Sequence, residues 1–291
     1  MNFTRFSKLA FLSALAAVFA LALAGCGSSN NTALTQGNWS VTATSSGDAL
    51  SRNARSHNAQ SHNAQPLAES GTFYIGGNLT QNGANLTGTM YVVGSECFNS
   101  AGVAFTGTVN GNNVTLTTDS PSLAGQVITV TATAASASSL SGTYTVAGGC
   151  DDGDSGTVSA SAAVPITGTW AGSLSNCEAE KNGCANANIS FDMTQGTTAA
   201  TDGGFPLTGS ITYTNSGCSA SGTITGGEIY GSYLVLNATT VDPEDDEGGS
   251  FTYSQVLLNS ASAPSSMTGN YQVNSGECNG NEQTLTLTVP E

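Results

Sequence analysis

The sequence predicts an all-β protein made of two tandem antiparallel barrels, each with eight up-and-down strands. Three observations predict it. Charged residues are only 9% of the 291-residue chain and glycine reaches 36, so the Glu, Lys and Arg that cover surface helices are scarce. Apolar residues alternate with Ser and Thr in short runs bounded by glycine and asparagine turns, the period of half-buried strands. Finally, Asn85-Leu-Thr-Gly-Thr-Met-Tyr-Val-Val-Gly-Ser-Glu-Cys97 returns as Pro206-Leu-Thr-Gly-Ser-Ile-Thr-Tyr-Thr-Asn-Ser-Gly-Cys218. A repeat this long is a domain duplication rather than a solenoid.

Residues 1–25 read as a secretory signal, with Arg5 and Lys8 ahead of an apolar run from Leu9 to Leu23 that is short for a membrane span. Leu23-Ala24-Gly25-Cys26 resembles the lipobox of bacterial lipoproteins. That resemblance implies cleavage before Cys26, diacylation of its thiol and acylation of the new amino terminus. Gly27 follows where an aspartate would favour inner-membrane retention, so the pattern points to the outer membrane, facing the periplasm or the surface. Several acyl chains make a stable anchor. Residues 26–35 then form a polar tether of the flexible kind.

The first copy spans residues 36–163. Its opening strand, Gly37-Asn-Trp39-Ser-Val41-Thr-Ala43, leads into low-complexity sequence over 46–69, where Ser-His-Asn-Ala-Gln occurs twice in succession. This segment has little to bury and is expected to be a mobile loop, and it holds both histidines, His57 and His62. The second strand runs from Thr72 to a hairpin at Gln81-Asn82-Gly83, and the third is the repeated stretch itself. Val103 to Val109 turns at Asn110-Gly111-Asn112 into Val114 to Thr117; Val127 to Thr131, Leu140 to Val146 and Gly156 to Ala160 complete the copy.

The second copy spans residues 166–291. Gly168-Thr-Trp170 answers Gly37-Asn-Trp39, and Phe191 to Gln195 answers the end of the second strand at Gln81. Tyr233 to Asn237, Phe251 to Leu257 and Thr284 to Val289 are its later strands. In both copies an apolar residue, Ser or Thr, then glycine recurs inside strands, at Leu86, Phe105, Leu140, Leu207 and Met267. Such glycines suit sharp coiling at barrel corners. With Gly-x-Trp on the first strand, the pattern resembles avidin-like and, more loosely, lipocalin-like barrels. It lacks the several tryptophans of a biotin pocket and the late arginine of lipocalins, so the resemblance implies architecture and no site. Trp39 and Trp170 are expected as core plugs at the barrel floors.

Seven cysteines leave six once Cys26 carries lipid, an even set for an oxidising compartment. The duplication selects Cys97–Cys150, Cys218–Cys278 and a local Cys177–Cys184. Metal ligation is the competing reading, but the spacings match no zinc pattern. Two acidic clusters, Asp151 with Asp152 and Asp154, and Asp242 with Glu244 to Glu247, read as solvated loops in preference to calcium sites. One end of each barrel should gather the long loops and cysteines, while the other, which in the first copy has only tight turns such as Gln81-Asn-Gly83 and Asn110-Gly-Asn112, merely closes. Disulfides between loops should lid the elaborated end.

The net charge of −15 and the scattered cations left after the leader, Arg52, Arg55 and Lys181, exclude a nucleic-acid partner. No nucleophile elbow, phosphate loop or metalloprotease motif is present, so neither catalytic nor metal residues are assigned, no cofactor is implied, and an enzyme is the least favoured class. The leading expectation is an outer-membrane-anchored structural or interaction module of the cell envelope, with an envelope protein as partner. The alternative is a barrel that encloses a small apolar ligand.

Overall fold

The structure, a computed structural model, describes residues 31–46, 71–95, 97, 99–118, 123, 125–149, 151–174, 187–214, 220–241, 248–275 and 280–290. These form sixteen strands in two closed antiparallel barrels, with no α-helix among the described residues. Barrel one comprises β1 (Gly37–Ser45), β2 (Thr72–Asn82), β3 (Asn85–Val93), β4 (Ser100–Asn110), β5 (Asn113–Thr118), β6 (Val127–Ser136), β7 (Ser139–Ala147) and β8 (Ser155–Ala162). Barrel two comprises β9 (Gly168–Leu174), β10 (Ala187–Gln195), β11 (Phe205–Thr214), β12 (Ala220–Tyr230), β13 (Tyr233–Val241), β14 (Gly248–Leu258), β15 (Ser266–Ser275) and β16 (Gly280–Thr288). Within each barrel every strand pairs with its successor and the last with the first, as the alternation predicts. Closure differs between the copies. In barrel one β8 pairs along β1 from Trp39↔Ala162 to Ser45↔Gly156, whereas β16 meets β9 at one pair, Thr288↔Ala171.

Alternation sorts the side chains. Inward positions of barrel one carry Val41, Phe73, Ile75, Leu79, Val130 and their like, all buried. Outward positions carry hydroxyls in register. Thr108, Thr115, Thr131, Thr143, Thr157 and Thr44 are successive cross-strand partners, a hoop around the barrel wall. Threonine combines a β-branched carbon that suits strands with a hydroxyl that water satisfies, which is how so uncharged a chain covers its surface. The glycines at 88, 107, 142, 209 and 269 share one cause. A Cβ at any of them would lie within 3 Å of a carbonyl oxygen on the neighbouring strand, for example that of Thr115 for Gly107.

The barrel interiors are filled. Barrel two packs Phe191 edge-on against Phe251 at 5.5 Å between ring centroids, and Phe251 stacks on Tyr271 at 6.1 Å. Tyr253 finds a buried acceptor by donating its hydroxyl to the Leu285 carbonyl at 2.9 Å. Barrel one is more aliphatic, with Phe73 edge-on to Tyr144 at 5.0 Å.

Each floor is sealed in the same manner. Trp39 and Trp170 are buried as plugs, and their indole Nε1 atoms donate to the carbonyls of Thr35 (2.7 Å) and Ile166 (2.9 Å). The backbone N–H groups of Leu34 and Ile166 donate to the side chains of Gln81 (2.7 Å) and Gln195 (3.1 Å), so both residues bury across the base. Residues 31–35 are held there too: Thr32 and Thr35 donate backbone N–H groups to the carbonyls of Gly111 and Ala137.

Candidate functional site

Two places gather polar groups out of reach of solvent. The first is the mouth of barrel one. Tyr144 on β7 and Ser45 at the end of β1 both donate to Asp154, each at 2.7 Å, and Ser95 after β3 donates to Asp151 at 2.9 Å. Asp151 and Asp154 are each only 2% exposed. The solvated-loop expectation therefore fails for them and holds for Asp152, which is exposed and accepts the Gly148 N–H. A carboxylate is costly to bury unless hydrogen-bonded, and the mouth supplies hydroxyl donors that the local sequence does not reveal. Burial and the Asp154 carboxylate push the ionisation of Tyr144 far above its usual range. Leu123, from the connection between β5 and β6, buries into the same core. Among the described residues, Leu123, Asp151 and Asp154 cover the core at this end.

The second place is the junction between the barrels. The floor end of barrel two rests against barrel one, its β10–β11 and β12–β13 connections on the outer wall at β1 to β4 and its β14–β15 connection on the interdomain segment at Val164. The end opposite the long cysteine loops, expected merely to close, thus binds the other domain in the second copy. Glycine makes the approach possible: a side chain on Gly76 would overlap the Tyr230 carbonyl, and one on Gly231 would press on Ser40. Tyr230 and Tyr233 bury with Val93, flanked by Tyr74 and Tyr91. Ser40 and Ser232 hydroxyls pair at 2.8 Å, and the Gly231 N–H donates to the Asn38 side chain at 2.7 Å. Gly102 N–H reaches the Asp202 carbonyl at 3.2 Å.

At the rim of the junction the Tyr230 hydroxyl faces two carboxylates, Asp202 at 2.6 Å and Glu228. Burial and those carboxylates push the Tyr230 ionisation far up. Burial alone would raise Asp202, but hydrogen bonds from Tyr230 and the Gly204 N–H outweigh it and hold the carboxyl below its ordinary range. Burial also raises Tyr233, with Tyr91 beside it. Beside this contact lies a cleft of about 320 Å³ with walls from both barrels. A second cavity of about 300 Å³ lies at the floor of barrel one, by Leu34 and Gln81. Neither enters a barrel interior.

Of the cysteines, Cys97 lies among the described residues, packed against the core of barrel one. Cys26, Cys150, Cys177, Cys184, Cys218 and Cys278 lie outside them, as do His57, His62 and the 242–247 acidic run. The structure brings Ser95 next to Asp151, the neighbour of Cys150 in sequence. What the sequence reading missed is the junction. Its available signal was Tyr230-Gly-Ser-Tyr233, two aromatic residues bracketing a turn where copy one has Asn110-Gly-Asn-Asn113.

Comparison with protein-family models, curated proteins and solved structures gives no match. The barrel architecture stands on its own geometry.

Proposed function

We propose that the protein is a lipoprotein of the bacterial outer membrane whose double barrel serves as a rigid interaction module of the cell envelope. The observation that carries this reading is the filled interior of both barrels: side chains occupy the space that a ligand carrier would leave open. The packing of one barrel on the other through Tyr230, Ser232 and Tyr233 supports a scaffold role in place of two independent carriers. Cys26 is the acylated residue, and the membrane is reached through its lipid.

The anchoring sets an orientation. Asn31 and Thr32 are bound to the β4–β5 turn, Asn31 Oδ1 accepting the Gly111 N–H at 2.9 Å. Four residues lie between Cys26 and Asn31, so five residue-to-residue steps give a reach of at most about 18 Å when fully extended. The floor of barrel one faces the membrane in this reading, and its mouth faces away.

Three disulfides belong to the same proposal: Cys97–Cys150, Cys218–Cys278 and Cys177–Cys184. Cys97 is not a free thiol, and the Ser95–Asp151 hydrogen bond holds the flanks of Cys97 and Cys150 together, which supports the first pairing. The deciding experiment is intact-mass analysis of membrane-extracted protein. A tri-acylated amino terminus at Cys26, lost together with membrane fractionation in Cys26→Ala, is expected. A mature N-terminus without acyl mass would refute the anchor, and a stoichiometric co-purifying small molecule held within a barrel would refute the scaffold.

A further inference from the structure

The cleft beside the junction exists only because the two barrels are docked. Its barrel-one wall is the outer face of β1 and β8, where Ser40 pairs across the strands with Ser161, and Thr42 with Ser159. Tyr74, half-buried on β2, lines the same wall. The barrel-two wall is Ser232, Leu258 at the end of β14, and the β14–β15 connection from Asn259 to Ala261.

The chemistry of the lining is selective. It contains no carboxylate and no cation, although the chain carries twenty acidic residues. A metal ion would find no anionic ligand there, and a phosphate or a carboxylate would find no positive partner. The mouth is mostly hydroxyl, which gives an apolar ligand little to bury against. A neutral polyhydroxylated molecule matches it, because each Ser or Thr hydroxyl offers one donor and two acceptors to partners that offer the same.

The walls are also fixed before any ligand arrives. Ser40 and Ser232 hold each other at the base, and Val164 N–H ties the interdomain segment to the Ala261 carbonyl at 2.9 Å. Asn259 is spent inside its own loop, accepting the N–H groups of Ser265 and Ser266 at 3.0 Å. The hydroxyls of Thr42, Ser159 and Ser161, in contrast, have no side-chain hydrogen bond to protein. They project in register from rigid strands, the condition for a preorganised site. The volume sits at the low end of small-molecule sites, room for a mono- or disaccharide unit.

We propose that this interbarrel cleft binds an uncharged saccharide, as a free sugar or as one unit of a glycan chain, through the Thr42, Ser159 and Ser161 hydroxyls with Tyr74 against the ring. This holds whether or not Cys26 is acylated, so it is tested on the full mature chain irrespective of the anchor. Two-dimensional amide NMR is recorded while maltose, cellobiose, lactose and N,N′-diacetylchitobiose are titrated in turn. At least one should give saturable shifts centred on β1, β8 and residues 259–261. Thr42→Val, nearly isosteric, should weaken that binding about three- to tenfold. Ser161→Trp should abolish it by filling the cleft, with the rest of the spectrum unchanged. Absence of saturable shifts with all four sugars at their solubility limits overturns the proposal. So does binding that maps elsewhere, or binding that survives Thr42→Val undiminished.

Discussion

The hydroxyl oxygens of Ser40 and Ser232 lie 2.8 Å apart, on different barrels and 192 residues apart in the chain. Both side chains are buried, at 7% exposure each. A polar pair hidden in this way is stable only while both members stay together, since separating them in place leaves two unsatisfied groups. The pair therefore ties the positions of the barrels to each other.

The junction should fail when its glycine notch is filled. Gly76→Val would place side-chain atoms on the Tyr230 backbone, which has no flexible end to swing away. The barrels are expected to part while each retains its β-sheet circular dichroism, with a larger radius of gyration by small-angle scattering. An unchanged scattering curve would show that the notch is dispensable.

The core of barrel two should respond to a cavity. Phe251 is fully buried between Phe191 and Tyr271, so Phe251→Ala is expected to cost about 3–5 kcal/mol in urea denaturation. Thr131→Ala, on the exposed hoop of barrel one, should stay within about 0.5 kcal/mol. Equal effects would mean that the interior is not packed as described.

Buried and exposed aspartates of one loop should separate cleanly. Asp154→Ala removes the acceptor of both Tyr144 and Ser45 and is expected to cost about 2–3 kcal/mol. Asp152→Ala, exposed and bonded to one N–H, should cost under about 1 kcal/mol. The comparison is read from paired chemical-denaturation curves.

Acid should loosen the junction through Asp202. Its folded carboxyl is held below the ordinary value, so its contribution is present above about pH 4 and is lost as pH falls through the lowered folded value. Tyr230 and Tyr233 are shifted upward, so their contribution is complete below about pH 10 and declines as pH rises beyond it. In Tyr230→Phe the acid-side decline should flatten, because the main hydrogen bond that depresses Asp202 is gone. An identical acid profile in wild type and variant would disprove the assignment.

Strand number, order and closure are legible in the sequence because alternation has a period of two and the repeat counts the strands twice. The hairpins at Gly83 and Gly111 are legible too, each glycine adopting positive φ, 62° and 60°. The junction is not, for a physical reason. Gly76 looks like Gly107, an in-strand glycine; that one faces a neighbouring strand and the other a second domain depends on three-dimensional proximity alone. The same holds for Asp151 and Asp154, whose partners Ser95 and Ser45 lie 56 and 109 residues away. The floor plug of barrel one hides for a smaller reason. Leu34 sits five residues before Trp39, Ile166 four before Trp170, so an alignment on tryptophan puts Thr35 in its place.

The two halves of the junction are each present in only one copy. Register places Gly77 opposite Trp39 and Phe191 opposite Trp170, so the place of Gly76 is taken in barrel two by Ser190. The turn that docks, Tyr230 to Tyr233, is in barrel one the polar Asn110 to Asn113. Barrel one offers a socket without the matching plug, and barrel two a plug without the matching socket. A head-to-tail contact between similar modules would otherwise repeat from molecule to molecule and grow into a filament. Here the divergence of the copies ends the series at two.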